Sequence, residues 1–219
     1  LLKKNSPSPG KTLVILGLGN PGSRYDKTRH NAGFWIIDAL AETLSCKLRR
    51  VPCKPLSIGL SYPDEGARFA RILIVKPQTY MNRSGDVIPW VQSFLRTDQP
   101  QDHEPPNIAQ QDTIFLVVVD NMDLAPGRIR MKSKGGTAGH NGLKSVSSFL
   151  GKNFIPLYVG IGRPGPGETV IDYVLGQPDE PEMFRYGQAI IHAVEGIKRF
   201  IKEPEYGLHY INRPTELPE

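Results

Sequence analysis

The residue in this chain best suited to chemistry is His30, set in the run Thr28-Arg29-His30-Asn31 between a glycine-rich turn and an apolar segment. An imidazole ionises near neutral pH, so it can take a proton from water once a partner fixes which ring nitrogen carries hydrogen. Asp120, at the end of an apolar run in VVDNMDL, offers the carboxylate such a partner needs. Asn20 follows another apolar run in GLGN, and Asn82 lies in KPQTYMNRSG after a third. If these runs are strands of one sheet, their carboxyl ends bring together a base, its carboxylate and neutral amides able to hold a carbonyl, where open α/β sheets place their ligands. Taken singly each residue has a plainer role, because Asn and Asp form turns and a lone histidine can cap a helix or face solvent.

Other chemistries find less support. No G-x-S-x-G elbow is present, and Cys46 and Cys53, seven apart, form neither a C-x-x-C pair nor half a zinc spacing. They read as two separate thiols, which suits a reducing compartment. His103, His140, His192 and His209 show no H-x-x-x-H pairing, so a metal site has no sequence support and water is the expected nucleophile. Gly17 to Gly22 match the dinucleotide pattern G-x-G-x-x-G after a strand, but Pro21 removes a backbone donor and Asp38 falls within a helix instead of ending a second strand. The simpler reading is a tight turn presenting Asn20. Residues 127–136, which include Arg130 and Lys132, are basic and glycine-rich, and Lys144 follows at an expected helix start; cations, backbone amides and a helix N-terminus favour phosphate. A solvated basic edge has the same composition, so both readings stand.

These residues need a scaffold, and the pattern of the chain supplies one. Residues 12–19, 69–75 and 113–119 are β-branched and leucine runs of buried-strand type, 128–132 alternates like a short edge strand, and 154–161 reads as a further strand. Helical spacing of Phe34, Ile37, Leu40, Ala41 and Leu44 marks a helix after His30; others are expected over 86–95, 141–150 and 183–201. The expected fold is therefore α/β, one globular domain over 12–219 with a mixed, mostly parallel sheet flanked by helices. Residues 1–11 read as a flexible tail, and 97–111, with three prolines, as an exposed insertion.

Bulk composition agrees. The 219 residues are 39% hydrophobic and 22% charged, ordinary globular values, and no apolar run reaches the ~20 residues of a transmembrane helix. The excess of 27 Lys+Arg over 22 Asp+Glu, +5, favours a polyanionic partner only if it is gathered on one face. The chain begins at Leu1 and has no acidic residue before Asp26, which fits either a fragment or the remainder after removal of a basic targeting segment.

Five blocks in order, GLGNPGSRYDKTRHNAGF, VKPQTYMNRSG, VVDNMDLAPGRIRMK, GHNGL and VGIGRP, resemble the bacterial-type peptidyl-tRNA hydrolase family over about residues 13–200. The resemblance implies an α/β monomer without cofactor or metal that cuts the ester between a peptide and its tRNA, in the cytoplasm or a mitochondrion. It implies His30 as catalytic base, Asp120 as its orienting partner, and Asn20, Asn82 and Asn141 along the substrate channel with Tyr25 and Met81 beside them. Arg130 and Lys132 would meet tRNA phosphate. Two positions depart from the family pattern. Thr137-Ala138 stand where a His-Gly pair is common, and Pro156-Leu157-Tyr158 replace Arg-Leu-Arg, which puts a phenol in place of a guanidinium at an expected RNA contact. Two rivals remain open: a family member that keeps the fold but acts as a splicing-type RNA-binding adaptor, and a nucleotide-binding oxidoreductase.

Overall fold

The computed structural model describes residues 11–97 and 113–214. The expected tail and insertion therefore lie outside the described residues, except that Lys11 opens the first strand and Thr97 closes a helix. Four parallel strands form the centre of one sheet: β1 (Lys11–Gly17), β4 (Phe69–Pro77), β5 (Thr113–Asn121) and β7 (Ile155–Gly160). β3 (Leu56–Ser61) runs antiparallel to β4, β2 (Arg49–Arg50) to β3, and β6 (Ile129–Met131) to β7. The seven strands lie in the order β2-β3-β4-β1-β5-β7-β6. This is the mixed, mostly parallel α/β sheet that the sequence pattern predicts.

Because side chains alternate across a strand, β1 feeds two cores. Leu13 and Ile15 pack on one face with Ile36, Ile37 and Leu40 of α1 (Ala32–Thr43) and with Ile197 and Phe200 of α5 (Glu180–Lys202). Val14 and Leu16 face the other way, against Val91 of α2 (Ile88–Thr97) and Leu143 and Val146 of α3 (Asn141–Leu150). Each fully buried Leu or Ile contributes roughly 1.5–3 kcal/mol. Two further helices, α4 (Val170–Leu175) and α6 (Pro204–Ile211), complete the first face.

Gly17 and Gly19 of the G-x-G-x-x-G match, and Gly33 beyond it, have packing reasons. A Cβ on Gly17 would lie 2.1 Å from Ile37 Cγ1, and one on Gly33 would lie 2.5 Å from the carbonyl oxygens of Leu18 and Val118. The first turn of α1 is thus pressed onto the ends of β1 and β5, which carries His30 to the carboxyl edge of the sheet. Within the match, Gly22 is the glycine with a left-handed backbone, at φ 103°.

Several boundaries differ from expectation. The helix expected from Asp86 starts at Ile88, after a 3-10 stretch Met81–Val87. The long C-terminal helix starts at Glu180, three residues before the expected 183, because Asp179 and Glu182 form a capping box. Strands β2 and β3 and helices α4 and α6 were not expected at all. At the sheet edge, the Asn212 carboxamide accepts from Met131 N–H and donates to its carbonyl, both at 2.9 Å, completing hydrogen bonds that β6 would otherwise leave open.

Candidate active site

Asp120 ends the buried part of β5 and is 2% exposed, so its carboxylate needs partners. Two imidazoles supply them. His30, in the 3-10 turn Arg29–Asn31, places Nδ1 2.9 Å from Asp120 Oδ2, and His140 places Nε2 2.9 Å from Oδ1. The rings lie 5.2 Å apart. Burial alone would push the Asp120 carboxyl up; the charges of His140 and His30 and their hydrogen bonds outweigh it and hold the carboxyl well below the usual carboxylate range. An ionised carboxylate only accepts, so His30 Nδ1 and His140 Nε2 both carry hydrogen.

The remaining nitrogens differ. His140 Nδ1 accepts from the backbone N–H groups of Gly142 and Leu143 at 3.1 and 3.4 Å, capping α3, so that nitrogen is engaged with the helix. His30 Nε2 has no such bond among the described residues, and the side chain is 16% exposed. Burial would lower the His30 pKa, but the Asp120 charge and hydrogen bond win and raise it above the ordinary value of 6.5. The result is a positioned imidazole with one nitrogen fixed and the other open to take a proton.

Asn20 sits in the loop after β1 and is buried. Its side-chain oxygen accepts from Met81 N–H at 2.8 Å, while its backbone N–H and carbonyl pair with the Asn31 carboxamide at 2.8 and 3.0 Å. Three loops are tied through this residue: that after β1, the turn bearing His30, and that after β4. Arg29 anchors the same turn from behind. Its backbone N–H donates to Gly176 O at 3.1 Å, and its guanidinium to Glu182 at 3.3 and 2.5 Å and to Tyr173 O at 3.3 Å.

The other expected residues fall into two groups. Met81 is buried beside the Asn20 hinge, Asn82 follows it on the exposed rim, and Asn141 is exposed at the start of α3 next to His140. Tyr25 is half-buried and meets Tyr80 edge-on, ring centres 6.2 Å apart. By contrast Arg130 and Lys132 lie on β6, which β7 separates from β5, so they are not part of the Asp120 cluster. With Arg128, Lys134 and Arg213 they line a groove of about 740 Å³. Lys144 is exposed on the second residue pair of α3, between the two regions in sequence. Tyr158, the phenol that stands where the family pattern has a guanidinium expected to meet RNA, is a core residue, 3% exposed, with Lys132 Nζ 5.5 Å from its ring centre. The loop carrying Thr137-Ala138 turns back on itself through His140 N–H to Thr137 O, 2.8 Å, and so helps set the His140 cap.

Sequence reasoning missed His140, Asn31 and Arg29. His140 was weighed only for spacing to other histidines; the available signal was its place directly before an Asn-Gly helix start. Its meeting with His30 and Asp120 puts candidate ligand atoms of all three within 4.8 Å of one another. A cation could use such a set only by displacing the hydrogens that both imidazoles share with the carboxylate, so the donor set fits a hydrogen-bonded triad better than a metal centre.

The family model for peptidyl-tRNA hydrolase matches residues 14–215. The peptidyl-tRNA hydrolase of Halalkalibacterium halodurans is 39% identical over 192 residues, covering 87% of this chain and 94% of that protein. That of Dichelobacter nodosus is 35% identical over 201 residues, covering 91% and 97%. The crystal structure of peptidyl-tRNA hydrolase from Acinetobacter baumannii superposes with a TM-score of 0.77 at 35% identity, covering 94% of this chain and 97% of that one. With the model matched across both cores and the whole Asp120 cluster, and relatives matched nearly end to end, the chain belongs to the peptidyl-tRNA hydrolase family.

Proposed function

We propose that this chain hydrolyses the ester between a peptide and the 3′ ribose of tRNA, with His30 as general base, and so returns tRNA from aborted translation. The observation that carries the reading is the His30 imidazole held by Asp120 through Nδ1 with Nε2 left open. Nε2 takes a proton from water, the water oxygen attacks the peptide's C-terminal carbonyl, and the ester C–O bond to the ribose breaks. The ribose oxygen leaves with the proton from His30. Asn20 has its side-chain oxygen committed to Met81, so its amide NH₂ is the end available to the developing oxyanion; Asn82 and Asn141 offer further donors from the rim. Tyr25 and Met81 wall the acyl end, and Arg130, Lys132 and Lys144 take phosphates of the tRNA.

The mechanism asks for no metal or cofactor, because the proton acceptor is a side chain. A monomer suffices, since every residue named comes from one chain, and the compartment is one where translation runs, cytoplasm or mitochondrion. Among the described residues no helix is long and apolar enough to cross a membrane. The adaptor alternative is not favoured: nothing in RNA binding alone requires an imidazole oriented by a carboxylate that a second imidazole also holds.

The test is release of the acyl-amino acid from N-acetylaminoacyl-tRNA, with and without chelator. Release insensitive to chelator and reduced roughly 10²–10⁴-fold in His30→Ala is expected, with the melting temperature little changed. Salt-sensitive tRNA binding without release would support the adaptor, and loss on chelation would indicate a metal. Light scattering of the pure protein checks the monomer.

A further inference from the structure

β6 is three residues long and stands at the edge of the sheet, so only β7 pairs with it. Its backbone groups alternate in direction. Toward β7, Gly160 N–H donates to Arg128 O at 2.6 Å and Lys132 N–H to Pro156 O at 3.1 Å. Met131 N–H and its carbonyl point the other way, to the open edge, where the Asn212 carboxamide meets both at 2.9 Å. From this geometry, and resting on the proposed function, we infer that Asn212 is a positioning residue for tRNA: it sets the strand that carries Arg130 and Lys132 without meeting the substrate itself.

Asn212 stands in for the neighbouring strand that β6 lacks. A pairing this short, made on one side alone, is marginal. Arg130 and Lys132 lie two residues apart on one face, about 7 Å along the strand, so their like charges work against its order. A second cation at position 212 would add to that repulsion, and a carboxylate would offset the field that attracts phosphate. A carboxamide is neutral and offers an acceptor beside a donor, so it makes both bonds to Met131 and leaves the groove positive.

The carboxamide is itself firmly placed. Asn212 follows α6 directly, and α6 is pressed onto α5: a Cβ on Gly196 would lie 2.2 Å from Ile211 Cγ1, and one on Gly207 2.3 Å from Phe200 N. His192 of α5 stacks on Tyr210, ring centres 4.8 Å apart. Ile211 is fully buried, in the same core as Met131. The docking of α6 is thus transmitted through Asn212 to a strand 81 residues earlier in the chain.

Because β7 lies between β6 and β5, Asn212 bears on how tightly tRNA is held and not on proton transfer at His30. Without Asn212 the strand must be ordered as tRNA binds. That cost is independent of salt, since the same phosphates are neutralised in the complex. Loss of Asn212 therefore has a different signature from loss of a cation.

The experiment measures tRNA binding over a series of salt concentrations, and turnover of N-acetylaminoacyl-tRNA, in wild type and Asn212→Ala. Kd and KM are expected to rise roughly fivefold to tenfold at every salt concentration, with the slope of log K against log salt unchanged and kcat within about twofold of wild type. Made in an Arg130→Ala/Lys132→Ala background, the same substitution should weaken binding by less than about twofold further, because the strand then has little to position. A full loss in that background would make Asn212 a contact in its own right and overturns the inference. An unaltered Kd, a flattened slope, or a fall in kcat as large as the rise in KM overturns it too. Exchange of the Met131 amide in wild type gives a reading that needs no variant: protection is expected, and exchange as fast as that of an unbonded amide removes the pairing through which Asn212 acts. Weaker tRNA binding by Asn212→Ala at an unchanged slope, in a protein that hydrolyses no substrate, would remove the proposed function and support this inference. Hydrolysis by wild type with equal tRNA affinity in both proteins would remove this inference alone.

Discussion

At the scale of residues, Asp120 does two things that separate experiments can distinguish. It fixes the His30 tautomer, and it raises the His30 pKa above 6.5 by its charge and hydrogen bond. A base works only when unprotonated, so kcat/KM should climb with pH along a limb lying above 6.5, since a raised pKa keeps the imidazole protonated to higher pH. Asp120→Asn removes the negative charge, so the limb should move to lower pH while the plateau falls about 10²-fold or more as the tautomer is lost. A pH–rate profile of both proteins checks this; a limb that stays in place would mean that Asp120 does not hold His30 in solution. Stability is lost in the same direction, toward acid, through Asp120 itself, but in a lower pH range. Its pKa is lowered from 3.8, so the stabilisation it gives is present above that value and is lost as pH falls below it. His30 and Asp120 were legible in the sequence because each follows a readable turn or strand. His140 was not, because its partner is 20 residues away across a turn and nothing in local spacing announces a shared carboxylate.

At the scale of elements, the turn bearing His30 is held from outside the sheet edge by the N-terminus of α5. Glu182 closes the α5 capping box with Asp179 and also receives the Arg29 guanidinium, with side-chain exposures of 12% for Arg29 and 10% for Glu182. Removing one partner of a pair this buried leaves the other charge without compensation, so Glu182→Ala should cost roughly 3–5 kcal/mol in denaturant unfolding. Lys198→Ala, which breaks an exposed pair with Glu195 in the same helix, should cost under about 1 kcal/mol. Equal losses would show that Glu182 acts only as a cap. The strands that build the centre were readable because β1, β4 and β5 are nearly continuous apolar runs, and α1 and α5 because their apolar positions recur at helical spacing. β3, by contrast, is LSIGLS with only Leu56 and Gly59 buried, and Gly59 is there because a Cβ would lie 2.5 Å from Cys46 Sγ, a tertiary reason that no local pattern carries. α6 was missed because only Glu203 separates it from α5, and Pro204 there starts a new helix instead of merely ending the old one.

At the scale of the whole molecule, a net charge of +5 says little until the fold distributes it. The sheet order does so by setting β6 at the far edge, where the Asn212 carboxamide fixes Met131 and leaves Arg130 and Lys132 exposed on either side of it. The groove there gathers Arg128, Arg130, Lys132, Lys134 and Arg213. Such a cluster binds polyanions by releasing condensed counterions, and each neutralised phosphate adds about 0.7–0.9 to the slope of log K against log salt concentration. Lys132→Ala should therefore weaken tRNA binding most at low salt and flatten that slope by about one phosphate's worth. Its kcat at saturating substrate should change far less than that of His30→Ala, because β7 stands between β6 and the strand that bears Asp120. Fluorescence titration of tRNA at several salt concentrations reads the slope, and initial rates read kcat. A slope unchanged from wild type would return residues 127–136 to the plainer reading of a solvated basic edge and move the tRNA contact elsewhere on the surface.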